Sequence, residues 1–438
     1  VALVERSKIG GTCLHVGCIP AKELLETAHV FRTVSHAAQF GVNVEALGVE
    51  WSRTQARKQA IVDQLAKGLT GLLKGRKVTL FDGTGTLEPD HRSVRVAGGA
   101  SGDQTITGDA VVLAAGSTPR TLPGFPIDDR RIVTSDELLS IPELPGSAVV
   151  IGGGAIGCEF ASMMSDLGTE VTVLEALPKI LPGLDDDVTE VVVRSFKRRG
   201  IDIRTGVNVT GQTTDADGVT LHLGDGGEQL RAETVVISVG RKPASDTLGL
   251  DRTGVKVDGR GFVVVDAYGR TSVDGVWAVG DVIATAQLAH VAFAEGIVAV
   301  TDILGEDAVP VDHDKVPWCI YCHPEVAFAG HSEASAREAG FDVVVSKHRF
   351  AGNGRAMIVG DTDGMVKVIA ERGDGGPAGR ILGVHMVGPW VTEQLGQAYL
   401  AVNWEATVGE VASFIQPHPT LSEVFGETVL SLTGRSLH

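Results

Sequence analysis

An α/β fold, two Rossmann-like units followed by a smaller α+β region, is what the sequence predicts, and three observations carry that prediction. The apolar run Val149-Val150-Ile151 leads into Gly152-Gly153-Gly154-Ala155-Ile156-Gly157, then a helical stretch through Glu159 to Leu167, then a second strand, Val171-Thr172-Val173-Leu174-Glu175. That succession is a complete β-α-β nucleotide unit. Val1-Ala2-Leu3-Val4-Glu5 repeats the later strand, apolar and closing on Glu. From about residue 313 the glycine loops thin out, and the pattern changes to that of a separate α+β region.

Each element follows from local chemistry. The first Gly of the loop stands 23 positions before Glu175, so an equivalent for Glu5 falls near position -18. The repeat therefore predicts that an N-terminal strand, glycine loop and helix, roughly 25–35 residues by the length of one such unit, are missing ahead of Val1. Leu24, Leu25, Ala28 and Phe31, then Ile61, Leu65, Leu69, Leu72 and Leu73, recur at helical spacing and predict two long helices within 20–75. Strands return at Val78-Phe81 and before Gly116, and the Pro-rich stretch from Pro119 to Pro126 reads as a domain crossing. Residues 251–281 return to short strands and turns, and strands at 343–345 and 365–369 precede helices after Val391 and Leu421. The expected segments are 1–116 and 243–312 of one domain, 117–242 inserted between them, and 313–438.

Composition narrows the function classes. At 438 residues the chain exceeds the ~250–300 at which single cores divide. A hydrophobic fraction of 43% with 56 Gly suits an α/β protein rich in tight turns. The net charge of -17 argues against nucleic-acid binding, and Lys197-Arg198-Arg199, the densest basic cluster, reads as a solvated helix end. No apolar run approaches the ~18 residues of a membrane span, and no signal peptide is legible. Five Cys in so long a chain point to a reducing compartment, the cytoplasm or a mitochondrial matrix, rather than a disulfide scaffold.

Two runs carry chemistry. Gly10-Gly11-Thr12-Cys13-Leu14-His15-Val16-Gly17-Cys18-Ile19-Pro20-Ala21-Lys22 sets two cysteines five positions apart beside a Lys. On a regular helix their Cα atoms would stand roughly 8.7 Å apart, beyond the ~7 Å a disulfide tolerates. Gly17 permits unusual backbone angles and Pro20 suits a first helical turn, so the segment has the means to break the helix and let the pair store two electrons. Two buried thiols are the competing outcome. In the second run, Gly152, Gly154, Ile156 and Gly157 let backbone amides approach a pyrophosphate at a helix N-terminus, and Glu175 can accept from a ribose 2'-hydroxyl. A 2'-phosphate would be repelled by Glu175, and Lys179 is the only nearby cation, which favours NAD over NADP. By the repeat, Glu5 holds the ribose of a second nucleotide.

These runs, together with Ala114-Ala115-Gly116, Gly280-Asp281 and His418-Pro419-Thr420, resemble the flavoprotein disulfide reductases from residue 1 to about 432. The resemblance implies a two-segment FAD-binding domain, an inserted NAD-binding domain and a C-terminal dimerisation domain. It implies FAD with Glu5 on the adenosine ribose, Asp281 on the ribityl chain and Leu288-Ala289-His290 beside the flavin. Thr12, Lys22, Gly85, Ala115, Gly116 and Gly280 complete that shell, while Gly240 and Arg241 touch the NAD side. Lys22 and Glu159 match a pair that sits near the flavin N5 in the family, where an ammonium stabilises reduced flavin.

The resemblance also makes His418 the base for a thiol substrate, acting on the cysteine pair of the other subunit of a homodimer, with Glu423 fixing its tautomer. Thiols need such help, because their pKa lies near 8.5 and thiolates are what attack disulfides. A buried structural His is the alternative. Within the family the chain is most similar to members that oxidise protein-bound dihydrolipoamide to lipoamide with reduction of NAD. Cys13 is then the exchange thiol, Cys18 faces the flavin, and the partners are lipoyl domains of 2-oxo acid dehydrogenase complexes. Competing readings are an NADPH-dependent glutathione or mycothiol disulfide reductase, and a non-catalytic fragment unable to hold FAD. The chain closes Thr433 to His438 without the terminal thiols or selenols of mercuric and thioredoxin reductases. Gln416 replaces a His that many members carry two residues before the base, with little expected consequence. No metal site is expected: Cys319-Ile320-Tyr321-Cys322 is a lone C-x-x-C that packs at a domain surface, and Cys158 belongs to the core.

Overall fold

In the computed structural model, residues 1–45, 47–99, 102–224, 226–373 and 378–437 are described. The glycine-loop unit builds a five-stranded parallel sheet in the order Asp202–Thr205, Glu170–Glu175, Ser147–Ile151, Thr234–Ile237, Ile132–Thr134. Its central strands are continuous apolar runs because both faces are covered. Val149, Val150, Val173, Val235 and Val236 are at most 1% exposed. The helix Ala155–Asp166 opens directly from the loop. Asp186–Arg198 is amphipathic and buries Val188, Val192 and Phe196.

The flanking segments make two parallel pairs, Ala2–Glu5 with Thr79–Asp82 and Val111–Leu113 with Val276–Ala278. The two expected long helices are Cys18–Ser35 and Trp51–Gly75. The chain passes between sheets through a short antiparallel pairing of Ser117–Pro119 with Arg241–Pro243. The C-terminal region is a five-stranded antiparallel sheet, order Trp318–Ile320, Glu325–Gly330, Ile381–Gly388, Met365–Glu371, Val343–Arg349. The helices Val391–Asn403 and Glu423–Ser431 pack on it. Among the described residues no helix is long and apolar enough to cross a membrane.

One core unites the halves: Leu24 of the helix after the cysteines, Met163 and Met164 of the glycine-loop helix, and Ile320 and Cys322 of the C-terminal sheet lie in the same buried cluster. This junction corrects the expectation for the basic cluster. Lys197 is exposed, but the Arg199 side chain is only 17% exposed and pairs with Asp166 at 3.0 Å. It also donates to the carbonyls of Ser162 and His323, and Arg198 pairs with Asp363. The helix end lies between two domains, where carboxylates and carbonyls replace water.

Candidate active site

The helix carrying the cysteines is broken. Gly11–Val16 and Cys18–Ser35 are separate helices joined at Gly17, whose φ of -146° and ψ of -118° are non-helical. A Cβ there would stand 2.9 Å from the Thr12 carbonyl oxygen, so only Gly allows the tight reversal. The break brings the Cα atoms of Cys13 and Cys18 to 4.6 Å, and the two form a disulfide. Pro20 stands in the first turn of the second helix, where its missing N–H costs nothing. The remaining thiols are unlike this pair. Cys158 and Cys322 are buried, which pushes both thiols up in pKa, and burial lifts Cys319 to about 11. At neutral pH these stay protonated and inert.

One turn beyond Cys18, the Lys22 ammonium reaches Glu159 of the glycine-loop helix, 2.9 Å from Oε1 and 2.8 Å from Oε2. The Glu159 side chain is 7% exposed and its charge is met by this cation. Tyr321 supplies a further donor, its amide lying 2.9 Å from Glu159 Oε1. In the sequence Tyr321 stands only inside the lone C-x-x-C, and no local signal marks it.

The glycine loop forms a cradle. Gly152 adopts φ +110°, and a Cβ on it would fall 2.2 Å from the Ser238 carbonyl oxygen. At Gly157 a Cβ would strike the Gly152 carbonyl oxygen at 1.9 Å, so helix and strand meet without side chains between them. Gly154 caps the helix with no side-chain bond and faces open space, and Ile156 is half-buried in the first turn. Free amides at the N-terminus of a twelve-residue helix fit a pyrophosphate. Glu175 ends the neighbouring strand, accepting from Gly153 N at 2.7 Å and from Leu177 N at 2.8 Å. Lys179 does not reach over this carboxylate; it binds Asp186 and the Leu184 carbonyl.

The residues expected to hold a second nucleotide lie at the corresponding strand ends, where parallel sheets bind ligands. Glu5 Oε1 accepts from Ser7 N at 2.8 Å, the same i to i+2 bond that Glu175 makes. Gly85 lies against Val4, where a Cβ would meet the valine side chain at 3.2 Å. The register Leu113↔Ala278 carries exposed Ala115 and half-buried Gly116 to the same end as Gly280 and Asp281. Gly116 and Gly280 both take positive φ, +70° and +71°. Asp281 accepts from Ser117 Oγ at 2.6 Å, and Arg241 donates to the same hydroxyl at 2.7 Å. The Arg241 side chain thus turns toward Asp281, while Gly240, with φ +98°, continues from Ser238 and Val239 beside the glycine loop. Leu288 precedes the helix Ala289–Ile303, and His290 Nε2 donates to the Pro317 carbonyl at 2.7 Å. Thr12 is half-buried on the short cysteine helix. Carboxylates at Glu5 and Asp281 with glycine-lined backbone between suit the hydroxyls of a ribose and a polyol chain, so this donor set fits an FAD.

His418 lies on the C-terminal domain. Its Nδ1 donates to Glu423 Oε1 at 2.7 Å, and the other Glu423 oxygen accepts from Thr420 N at 2.8 Å. The carboxylate fixes the Nδ1–H tautomer and leaves Nε2 as a proton acceptor. The His418 side chain is 79% exposed, against 14% for Glu423, which rules out a buried structural histidine. Gln416 packs against Gly426 of the following helix, where a Cβ would meet its Cγ at 2.6 Å. Phe414 and Ile415, just before the histidine, are 65% and 97% exposed.

Comparison with known proteins places these features together. The sequence model described as pyridine nucleotide-disulphide oxidoreductase matches residues 1–296, and that of its dimerisation domain matches residues 316–429. A dihydrolipoyl dehydrogenase of Bacillus subtilis (strain 168) is 40% identical over 449 residues, covering 100% of this chain and 94% of the relative. One of Rhizobium etli is 39% identical, with coverage of 100% and 94%. Among solved structures, LpdA of Mycobacterium tuberculosis superposes with a TM-score of 0.92 at 26% identity, covering 99% of this chain and 93% of that one. The HOCl-induced flavoprotein disulfide reductase RclA of Escherichia coli gives 0.87 at 28% identity, with coverage of 98% and 94%.

Proposed function

Since the chain belongs to the pyridine nucleotide-disulphide oxidoreductase family, whose members use FAD and NAD, we propose that it works as a dihydrolipoyl dehydrogenase, oxidising protein-bound dihydrolipoamide with reduction of NAD. The observation that carries this reading is the Cys13–Cys18 disulfide held at a helix break one turn from the Lys22–Glu159 pair. His418 Nε2 takes the proton of one substrate thiol while Glu423 stabilises the imidazolium. The thiolate attacks Cys13 Sγ, the bond to Cys18 breaks, and Cys18 leaves as a thiolate. The second substrate thiol then attacks the mixed disulfide and displaces Cys13, its proton passing to the departing Cys13 sulfur. This closes lipoamide and leaves both cysteines reduced, Cys13 as a thiol and Cys18 as a thiolate beside the protonated His418. Bound FAD supplies the two-electron acceptor between this dithiol and NAD. Glu5 and Asp281 hold its hydroxyls; Glu175 and the Gly152–Gly157 loop hold NAD and disfavour a 2'-phosphate.

The working unit is a homodimer. Exposed Phe414 and Ile415 beside His418, in the region matching a dimerisation domain, give the base a protein surface against which to meet the partner's disulfide. The lipoyl domains of 2-oxo acid dehydrogenase complexes are the physiological donors. Steady-state assays of the FAD-supplied chain should show NAD reduction by dihydrolipoamide. A clear preference for NADPH with a glutathione- or mycothiol-type disulfide would overturn the reading, as would the absence of a yellow chromophore and of activity after FAD addition.

A further inference from the structure

The segment Tyr321-Cys322-His323 of the C-terminal domain runs along one face of the glycine-loop helix. The Tyr321 amide donates to Glu159 Oε1 at 2.9 Å, and the His323 amide donates to Ser162 Oγ at 2.9 Å. The His323 carbonyl accepts from the Arg199 guanidinium. Glu159 and Ser162 stand three positions apart and so share a helical face. The strand end is therefore pinned to the same carboxylate that holds Lys22. The Tyr321 ring completes the arrangement: its centroid is 4.9 Å from the Lys22 ammonium, inside the ~6 Å over which a ring face attracts a cation. Lys22 thus has a two-oxygen carboxylate bond on one side and an aromatic face on another. A long, flexible side chain that would otherwise lose rotamer freedom to hold one position is fixed by two groups from two other domains.

We propose that Tyr321 is a positioning residue of the redox centre: its amide orients Glu159 and its ring holds the Lys22 ammonium in place, so that the C-terminal domain governs how firmly this cation is presented beside Cys18. The role of Lys22 toward the flavin rests on the function proposed above; the grip of Tyr321 on Lys22 stands on geometry alone. Side-chain substitution leaves the Tyr321 amide untouched, which isolates the ring.

Two measurements read it. In the FAD-free chain, acetylation of Lys22 followed by peptide mass spectrometry should run about two- to fivefold faster in Tyr321→Leu than in wild type, as loss of a partly exposed cation–π contact implies. Tyr321→Phe, which keeps the ring, should match wild type. In the FAD-loaded enzyme at a fixed NADH to NAD ratio, Tyr321→Leu should hold about two- to fivefold less reduced flavin than wild type, with Tyr321→Phe unchanged. A Tyr321→Leu chain that melts as wild type does and matches it in both readouts overturns the proposal. Should that variant fail to accumulate, Tyr321→Met, flexible and apolar, is held to the same two outcomes. A wild-type enzyme inactive on dihydrolipoamide would refute the proposed function, while the Lys22 labelling would still decide the role of Tyr321.

Discussion

At the end of Ala2–Glu5 and at the end of Glu170–Glu175, a carboxylate accepts the backbone amide two residues on, at 2.8 Å in both places. Beyond that shared bond the two nucleotide regions differ. Glu175 is 8% exposed, grips Gly153 N through its second oxygen and belongs to a five-stranded sheet whose central valines are fully buried. Glu5 ends a strand paired, among the described residues, with Thr79–Asp82, and Leu3 and Val112 on the two short parallel pairs are 37% and 40% exposed. Each carboxylate ends a short strand, of four and of six residues. Among the described residues Glu175 thus has two backbone donors to hold it and Glu5 has one.

The largest expected effect separates chemistry from cofactor binding. Cys18→Ser should lower dihydrolipoamide-driven NAD reduction on the order of ten-thousandfold or more. NADH affinity, measured by fluorescence titration, should stay within about twofold of wild type, since the glycine loop shares no bond with the disulfide. Next, His418→Ala should cost about a hundredfold to a few thousandfold in kcat/KM and flatten the pH profile. Glu423→Gln, which keeps the shape but loses the charge on Nδ1, should cost less. If His418→Ala left the profile intact, the base would have to be sought elsewhere.

The comparison itself is tested by the two glutamates. Calorimetric titration of Glu175→Ala should show NADH binding weakened about 10- to 100-fold, by loss of charge-assisted bonds from a fixed group. Glu5→Ala should weaken FAD binding as well, about three- to tenfold, by loss of the bonds a carboxylate gives to ribose hydroxyls. An unchanged NADH affinity in Glu175→Ala would remove that carboxylate from the NAD site. Two neighbouring glycines sharpen the point. Gly157→Ala drives a Cβ to 1.9 Å from the Gly152 carbonyl oxygen and should cost about 1–3 kcal/mol in denaturant unfolding. Gly154→Ala meets nothing within 4 Å and takes an ordinary extended φ of -75°, so its stability should change by less than about 1 kcal/mol while NADH binding weakens.

The smallest effect concerns the seam between the NAD half and the C-terminal sheet. Lys367, 3% exposed, sits 3.0 Å from Asp185, 3.2 Å from Asp187 and 3.1 Å from Glu333. Burial pushes Asp187 up, but the Lys347 and Lys367 ammoniums outweigh it and hold the carboxyl below its ordinary 3.8. Arg337, then Lys367 against opposing burial, holds Glu333 below 4.5. Groups depressed in the folded state contribute stability that is complete above their ordinary values and is lost as pH falls through the folded ones. Thermal melts should therefore be flat in this contribution above about pH 5 and decline below about pH 4. Melting that is insensitive to acid would show the seam to be uncoupled from unfolding.

Much of this was legible in the chain. The helix break at Gly17, the strand-loop-helix around Gly152 and the His418–Glu423 pair all lie within a few residues of one another in sequence, and short-range backbone chemistry governs each. Arg199 was not legible: a basic run at a helix end reads as solvated until a second domain is packed over it. Nor was Tyr321, for an aromatic between two cysteines carries no local mark of what its amide and ring will meet.

By itself, then, the sequence determined the parts: a cysteine pair able to close, a glycine loop with a Glu at the end of the next strand, and a histidine with a carboxylate five positions on. Residue chemistry alone gave no link between Lys22 and Glu159, which only the resemblance paired across 137 positions, and tertiary structure alone decided that Tyr321 meets that same Glu159 across 162. Propensity and motif chemistry act over a turn or a loop, whereas these contacts exist only because the cysteine helix, the glycine-loop helix and the C-terminal sheet bury their apolar faces in one core.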